Sequence, residues 1–309
     1  PPGPLEFWTH PPFAAEVADG RVYGRGTIDT KSGLTTLVMA ATALRRTGLG
    51  FRGKLAFAFV CDEEVGGRLG IQHIHKCGRL KADMAIVAEP TTMQIEIATK
   101  GRMNISITTR GVATHGARPW LGHNAISDMA VVVAELDKLY GSLKNRRHPL
   151  LGHPTLNVGV ITGGTVPNMV PNKCTIEVDR RLIPEETQKQ VLDEFNALLE
   201  RLRATRNSFY ATVEQLLWWP GYAVEPTDHV VQVACSAYEK VVGKKPVVAG
   251  KDAGTDASWI NTLAGIPVVM FSPGDGMRAM NADENVNIDD LIVATKVIGQ
   301  IIHDVLIQE

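Results

Sequence analysis

The chain has 309 residues, with 32 basic and 33 acidic side chains and a pI near 6.9. This length exceeds what one hydrophobic core usually supports, so two domains are expected. The balanced charge gives no electrostatic basis for binding nucleic acid or an anionic membrane surface. No apolar stretch approaches the roughly 18 residues that a transmembrane helix requires.

The first informative segment is a glycine-punctuated loop that precedes a helix. Helix-forming residues run from Leu34 to Leu44, and Asp29 lies ahead of them in the loop. Asp29 is several residues too early to cap this helix, and Thr30 or Ser32 would cap it better. Asp29 is therefore a candidate functional carboxylate.

An acidic pair follows the next apolar run. Residues 55–60 are aromatic, branched or small, which predicts a buried strand, and Glu63 and Glu64 come shortly after it. A buried charge is costly unless it is paired or bound to a metal ion. Neighbouring residues of a strand point to opposite faces, so these two carboxylates could have different roles in one crevice. The alternative interpretation is a solvated turn.

A third carboxylate, Glu89, follows the short apolar run Met84–Ala88 and directly precedes Pro90. A surface turn is again the alternative. Carboxylates at the ends of successive strands would converge at the carboxyl edge of a parallel sheet, where α/β proteins bind their ligands. Converging carboxylates repel one another, and a divalent cation is the usual remedy. The pattern therefore favours metal chemistry.

The middle of the chain predicts an inserted domain. Strands and helices follow the order βαββαβ, a split βαβ arrangement, between residues 100 and 214. The predicted segments are Asn104–Arg110, Asn124–Tyr140, Thr155–Ile161, Thr175–Leu182, Glu185–Thr205 and Ser208–Glu214. The flanking regions, residues 1–99 and 215–309, are expected to form two parts of one catalytic domain. The second part is expected to contain a helix near Val230–Val241, a strand at Val268–Phe271 and a last helix from Ile288 to Leu306.

The four cysteines show no C-x-x-C spacing and no disulfide-dense pattern. They are Cys61, Cys77, Cys174 and Cys235. Scattered free thiols are typical of a reducing compartment, so a cytoplasmic protein is expected.

Several motifs occur in the order in which one enzyme family carries them, and together they cover essentially the whole chain. The segments are residues 23–31 (YGRGTIDTK), 62–67 (DEEVGG), 88–91 (AEPT), 111–119 (GVATHGARP), 179–181 (DRR), 254–257 (GTDA) and 273–275 (PGD), with Asn168, Pro171 and Asp283-Glu284. In this the chain resembles the zinc-dependent aminoacylase/carboxypeptidase family, which includes acetylornithine deacetylase, succinyl-diaminopimelate desuccinylase and the glutamate carboxypeptidases.

The resemblance implies a zinc site in the catalytic domain. Asp29 resembles the carboxylate that bridges two zinc ions, Glu64 a terminal ligand of one ion, and Glu89 a terminal ligand of the other. Glu63 resembles the general base, which takes a proton from metal-activated water and passes it to the leaving amine. Manganese or cobalt would accept similar ligands.

The resemblance also implies residues that bind the substrate. His115 resembles the histidine that the inserted domain extends across a dimer interface to polarise the scissile carbonyl, which implies a homodimer. Asn168 and Arg181 resemble contacts to a substrate carboxylate or oxyanion, and Gly254 lies in another matching substrate-binding segment. A turn asparagine and a salt bridge at a strand end are the alternatives for Asn168 and Arg181.

Two departures from the family pattern affect the metal site. The family carries a His-x-Asp motif shortly before the loop that corresponds to Pro1–Gly3, so an N-terminal segment is expected to be missing from this sequence. Met280 stands where the family has a histidine that binds the same metal as Glu64. A neutral thioether is a poor zinc ligand, so that metal position is expected to be weak, empty or rearranged.

The sequence therefore predicts an α/β protein with a mixed-sheet, metallopeptidase-like catalytic domain and an inserted, ferredoxin-like lid or dimerisation domain. The predicted function is metal-dependent hydrolysis of the amide bond of a small, carboxylate-bearing substrate, by a deacylase or a peptidase. One alternative is a hydrolase of another C–N bond, such as that of an aromatic amine or a carbamoyl group. The other is a metal-depleted binding protein that keeps only the fold.

Overall fold

The computed structural model describes residues 1–307. The chain divides into two compact units. The first consists of residues 1–98, 223–250 and 255 onward, and the second of residues 99–222 with 251–254. The mixed α/β class predicted from the sequence is confirmed.

The helices and strands are numbered along the chain. The helices are α1 (Ser32–Thr47), α2 (Ile71–Lys76), α3 (Ala125–Leu143), α4 (Gln188–Thr205), α5 (His229–Val242), α6 (Asp256–Ala264) and α7 (Ile288–Leu306). The strands are β1 (Val17–Ala18), β2 (Arg21–Tyr23), β3 (Ala85–Val87), β4 (Ile95–Thr99), β5 (Gly101–Arg110), β6 (Thr155–Gly163), β7 (Lys173–Leu182), β8 (Tyr210–Trp219), β9 (Tyr222–Ala223), β10 (Val248–Lys251), β11 (Val268–Met270) and β12 (Asn285–Asn287).

The first unit is built on a mixed sheet with the strand order β10-β4-β11-β3. Strands β11 and β3 run parallel, whereas β11 and β4 run antiparallel. Every residue of β4 is buried, as expected for a strand covered on both faces. A small antiparallel sheet, β1-β2-β12, connects the beginning of the chain to the segment before α7. Helix α7 packs against α1 and α5.

The predicted buried strand at residues 55–60 is wrong. This segment has no regular secondary structure, and its large side chains are exposed, with Phe57 at 41% and Phe59 at 56%. The rings of Phe57 and Phe59 stack on each other at 5.7 Å. A strand forms only where a neighbour accepts and donates its backbone hydrogen bonds, and within residues 1–307 this segment pairs with no strand.

The second unit has the predicted order βαββαβ. Its antiparallel sheet has the strand order β6-β7-β5-β8. Buried and half-buried residues alternate along β5, because successive side chains point to opposite faces. The buried side chains of β5 and β7 pack with those of α3 and α4 in one apolar core. Strand β8 continues to Trp219, so this unit extends beyond the predicted boundary at residue 214.

Side-chain caps determine where the helices of the second unit begin. Asn124 accepts hydrogen bonds from the backbone N–H groups of Ile126 and Ser127 at the start of α3. Thr187 and Gln190 form a capping box at the start of α4. This box explains why α4 begins at Gln188 and not at the predicted Glu185.

Candidate functional site

The Asp29 loop of the first unit is held in place from behind by Glu284. The buried carboxylate of Glu284 accepts hydrogen bonds from the N–H groups of Ile28 (2.8 Å) and Asp29 (3.2 Å), and its second oxygen pairs with Arg25 (2.6 Å). Residues 27–31 form an irregular turn, in which Asp29 has a non-helical backbone. Glu284 therefore sets the backbone position of the first predicted metal ligand.

Close packing brings the start of α1 to the end of β3. Gly33 lies so near this strand that a Cβ atom would be 2.5 Å from the carbonyl oxygen of Ala88. The hydroxyl of Thr30 donates a hydrogen bond to the same carbonyl. Glu89 follows directly and is 8% exposed. This contact places the Asp29 loop beside Glu89, although the strand before the loop, β2, belongs to the small antiparallel sheet and not to the sheet that contains β3.

Glu63 and Glu64 lie in a short 3-10 turn, residues 63–65, rather than at the end of a strand. The turn starts from Asp62, whose φ is 73°, and closes with a hydrogen bond from the N–H of Gly67 to the carbonyl of Asp62 (2.8 Å). Glu63 is half-buried and Glu64 is exposed. The two carboxylates therefore occupy different environments, although not for the reason of strand alternation.

Glu63 is surrounded by other carboxylates. Burial raises its pKa to about 9, and the negative charges of Glu89, Asp256, Glu64 and Asp29 contribute to the same shift. Burial and the charge of Asp29 also raise the pKa of Glu64. All four predicted acidic site residues thus share one electrostatic neighbourhood in the first unit. Carboxylates that disfavour each other's ionisation in this way are suited to a cation or a shared proton.

Asp256 belongs to this neighbourhood and was not among the predicted site residues. It begins α6, is 6% exposed, and its Oδ1 atom accepts no hydrogen bond from any of residues 1–307. A Cβ atom on Gly67 would lie 2.6 Å from this oxygen, so Asp256 faces the Glu63 turn. Burial and the charge of Asp62 raise its pKa to about 7. The segment 254–257 carried a sequence signal, but only packing shows where this carboxylate points.

The donor chemistry of the cluster fits a divalent cation, because it consists of carboxylate oxygens that repel one another and include one unpaired buried oxygen. Over the described part of the chain, however, no three or more His, Cys, Asp or Glu side chains are gathered closely enough to hold a metal ion. Met280, the doubtful ligand position, is 58% exposed, and its carbonyl accepts a hydrogen bond from Arg25.

The second unit carries His115 on a loop, and a hydrogen bond defines the orientation of the His115 ring. The Nδ1 atom of His115 accepts a hydrogen bond from the N–H of Ala117 (3.1 Å). A neutral imidazole that accepts at Nδ1 carries its proton on Nε2, so Nε2 is a donor. The N–H of Gly116 donates to the carbonyl of Asn168 (2.7 Å), which joins the two predicted substrate-binding loops.

Arg181 and Gly254 have structural partners within the second unit. Arg181 donates from Nε (2.7 Å) and Nη2 (3.2 Å) to the carboxylate of Asp179. A Cβ atom on Gly254 would lie 3.1 Å from the ring of Trp219. Part of the Arg181 guanidinium is therefore committed to a salt bridge, the alternative that the sequence left open.

Comparison with known proteins identifies the family. The family model described as peptidase family M20/M25/M40 matches residues 1–304. The chain belongs to this family. Among curated proteins it is 30% identical over 294 residues to the uncharacterized protein YgeY of Escherichia coli, covering 91% of this chain and 72% of YgeY. Like its family, this M20 protein is a metal-dependent hydrolase of amide bonds.

Solved structures support the fold of this M20 protein. Aminopeptidase PepT of Bacillus cereus superimposes with a TM-score of 0.76 at 24% identity, covering 94% of this chain and 75% of PepT. The M20 family metallo-carboxypeptidase Sso-CP2 of Sulfolobus solfataricus gives a TM-score of 0.74 at 21% identity, covering 98% of this chain and 82% of that one. Within residues 1–307, no helix has the length and apolar character needed to cross a membrane.

Proposed function

We propose that this M20 protein hydrolyses the amide C–N bond of a small substrate that carries a carboxylate, as a deacylase or a peptidase. The observation that carries the proposal is the group of carboxylates around Glu63, where burial, together with the neighbouring negative charges, raises the pKa of Glu63 to about 9. A buried acidic cluster of this kind costs folding stability and is expected where the chemistry requires it. Aminopeptidase and carboxypeptidase activities named for structurally similar proteins agree with this reaction type.

Asp29 with Glu64 would hold one metal ion and Asp29 with Glu89 another, so neither ion requires all three side chains together. Zinc is the proposed ion, with manganese or cobalt as substitutes. When bound, the metal supplies a Lewis acid and lowers the pKa of a water molecule. Its positive charge would also offset the repulsion among these carboxylates and favour the ionised form of Glu63. The fixed backbone at Asp29, held by Glu284, prepares one of these ligands in advance.

Glu63 is the proposed proton carrier. It is half-buried, and it lies in a tight turn that closes through backbone hydrogen bonds. Once a bound metal favours its ionised form, a glutamate in this position could take a proton from the attacking water and give it to the leaving amine near neutral pH. Glu64, on the same turn but exposed, is left for metal binding. The adjacent residues thus divide the two tasks.

His115 is the proposed donor to the oxyanion. Because its Nδ1 accepts the N–H of Ala117, its Nε2–H is available to a developing negative charge on the substrate oxygen. Asn168, whose backbone joins the His115 loop, and the Nη1 of Arg181 are the proposed contacts to the substrate carboxylate. Gly254, which packs closely against the ring of Trp219 and has no side chain of its own, is the proposed backbone contact to the substrate.

A homodimer formed through the second unit is part of this proposal, as is a cytoplasmic location. Strand β6 is at one edge of its sheet, and Val160 and Ile161 on it are 50% and 60% exposed. Apolar side chains on an unpaired edge favour pairing with another chain. A second copy of this protein would present the same β6 edge, so the two edges could pair and cover each other's apolar side chains.

The deciding experiment compares Glu63→Gln with Glu64→Gln in protein loaded with zinc, manganese or cobalt. Substrates would be N-acetyl and N-succinyl amino acids and dipeptides. We expect E63Q to keep its metal content and to lose turnover by about a hundredfold or more, as for a lost general base. E64Q is expected to bind less metal.

Full turnover by E63Q would exclude Glu63 as the proton carrier. Met280 stands where the family has a metal-binding histidine, so the metal position next to Glu64 is the one expected to be weak. Wild-type protein that hydrolyses none of these amides would overturn the proposed substrate class.

A further inference from the structure

The loop that carries His115 returns to helix α3 through His123. The N–H of Val112 donates to the carbonyl of His123 (2.8 Å), and the N–H of His123 donates to the carbonyl of Val112 (2.9 Å). The loop from Val112 to His123 is therefore closed at its base by two backbone hydrogen bonds. A Cβ atom on Gly111 would lie 2.0 Å from the His123 carbonyl oxygen, so this closure is also tightly packed.

The side chain of His123 is bound to a buried carboxylate on the first turn of α3. Its Nε2 lies 2.6 Å from Oδ2 of Asp128, which is 1% exposed. An ionised carboxylate only accepts, so the proton of this hydrogen bond belongs to His123. The other oxygen of Asp128 accepts from Arg206 at 3.2 Å. Both oxygens of this buried carboxylate are thus occupied by donors from outside the helix.

The position of this pair in the helix cap explains its effect. Asn124 is the N-cap of α3, so His123 is the residue before the cap and Asp128 is the fourth residue of the helix. Apolar residues at these two positions often pack together and fix the direction in which the chain enters a helix. Here a charge-assisted hydrogen bond, stronger and more directional than an apolar contact, takes their place.

We propose that His123 is a positioning residue for His115, acting through its hydrogen bond to Asp128. The pair fixes one end of the loop on α3, while Gly116 binds the carbonyl of Asn168 on the other side. His115 lies between these two attachments, so its Nε2–H is held in one direction before the substrate arrives. The kinetic part of this inference rests on the proposed function, whereas the order of the loop can be measured independently.

The experiment compares His123→Ala, His123→Gln and Asp128→Asn with a control, Val191→Ala. Gln places an amide N–H near the position of the His Nε2 and can restore the hydrogen bond. Val191 lies on α4 and is fully buried in the core of the second unit, so V191A reports a general loss of stability. Each variant is measured for thermal unfolding, for kcat and KM, and for hydrogen exchange of the Val112 and Gly116 amides.

We expect H123A and D128N to lower kcat about tenfold to a hundredfold with KM within about twofold, because a small misplacement of a reacting group is costly. Exchange of the two loop amides should accelerate about tenfold or more, since their hydrogen bonds open more often. H123Q should return both values to near wild type. V191A should lower the unfolding temperature without either effect.

Wild-type loop exchange in H123A and D128N would overturn the proposal, as would a V191A variant with the same kinetic and exchange changes. If H123A does not fold, D128N and H123Q carry the comparison. Wild-type protein without amide hydrolysis would contradict the proposed function alone. The exchange rates would still decide whether His123 holds the loop.

Discussion

Replacing Asp256 by Asn should stabilise the metal-free protein, and increasingly so at higher pH. Asp256 is a buried carboxylate with an oxygen that accepts no hydrogen bond from residues 1–307, and Asp62 adds a like charge nearby. Its ionised form is therefore disfavoured in the folded protein. An asparagine of almost the same size removes the charge and keeps the shape at the start of α6.

The size of the effect follows from the pKa difference between the folded and unfolded states. The pKa of Asp256 rises from 3.8 to about 7 on folding. The folded state then binds the proton more tightly, so ionisation destabilises the fold as pH rises above 3.8, and the penalty becomes constant above about 7. With about 1.4 kcal/mol for each pKa unit, the penalty is about 1.7 kcal/mol at pH 5 and about 4 kcal/mol at pH 8.5.

The assay is urea unfolding at pH 5 and pH 8.5, followed by circular dichroism, with chelator present throughout. D256N should gain about 2.5 kcal/mol more over wild type at pH 8.5 than at pH 5. The exposed Asp137 on α3 supplies a control, and D137N should show no such trend. A stability difference that does not change with pH, or one that favours wild type at pH 8.5, would refute the argument.

Two further changes test the packing that builds the cluster, both by urea unfolding. Glu284→Ala should cost about 3–5 kcal/mol, because it leaves Arg25 without its buried partner and the N–H of Asp29 without its acceptor; a loss below about 1 kcal/mol would contradict that role. Gly33→Ala should destabilise by about 2 kcal/mol or more, because its Cβ would meet the Ala88 carbonyl at 2.5 Å. The control Gly141→Ala, in α3 with open space around it, should stabilise by up to about 1 kcal/mol, and equal effects at the two glycines would argue against the close contact.

Most elements of the fold follow from local patterns in the sequence. The apolar spacing after Asn124 predicts α3, and the structure extends that helix to Leu143. The alternation in β5 and the final helix, Ile288–Leu306, are likewise local signals. The apolar run at residues 55–60 fails for a physical reason. The residue types of this run favour a strand, but a strand also needs a neighbouring strand to complete its backbone hydrogen bonds.

Part of the candidate site could likewise be predicted from the sequence, and part could not. The motifs predicted Asp29, Glu63, Glu64 and Glu89 as acidic site residues, and their charges act on one another in the first unit. Asp256 was missed because its segment matched the family without indicating that the side chain turns towards the Glu63 turn. The roles of individual ligands, and the effect of Met280 on the metal, stay predictions.

The sequence by itself determined the family, the order of the elements and the acidic chemistry, because these depend on residue types at fixed spacings. Only the tertiary structure decided which groups contact each carboxylate. Glu284 holds the backbone of Asp29 across 255 positions of sequence, and Arg206 donates to the buried carboxylate of Asp128 across 78 positions. Contacts of this kind depend on which side chains folding buries together, and no local pattern specifies that.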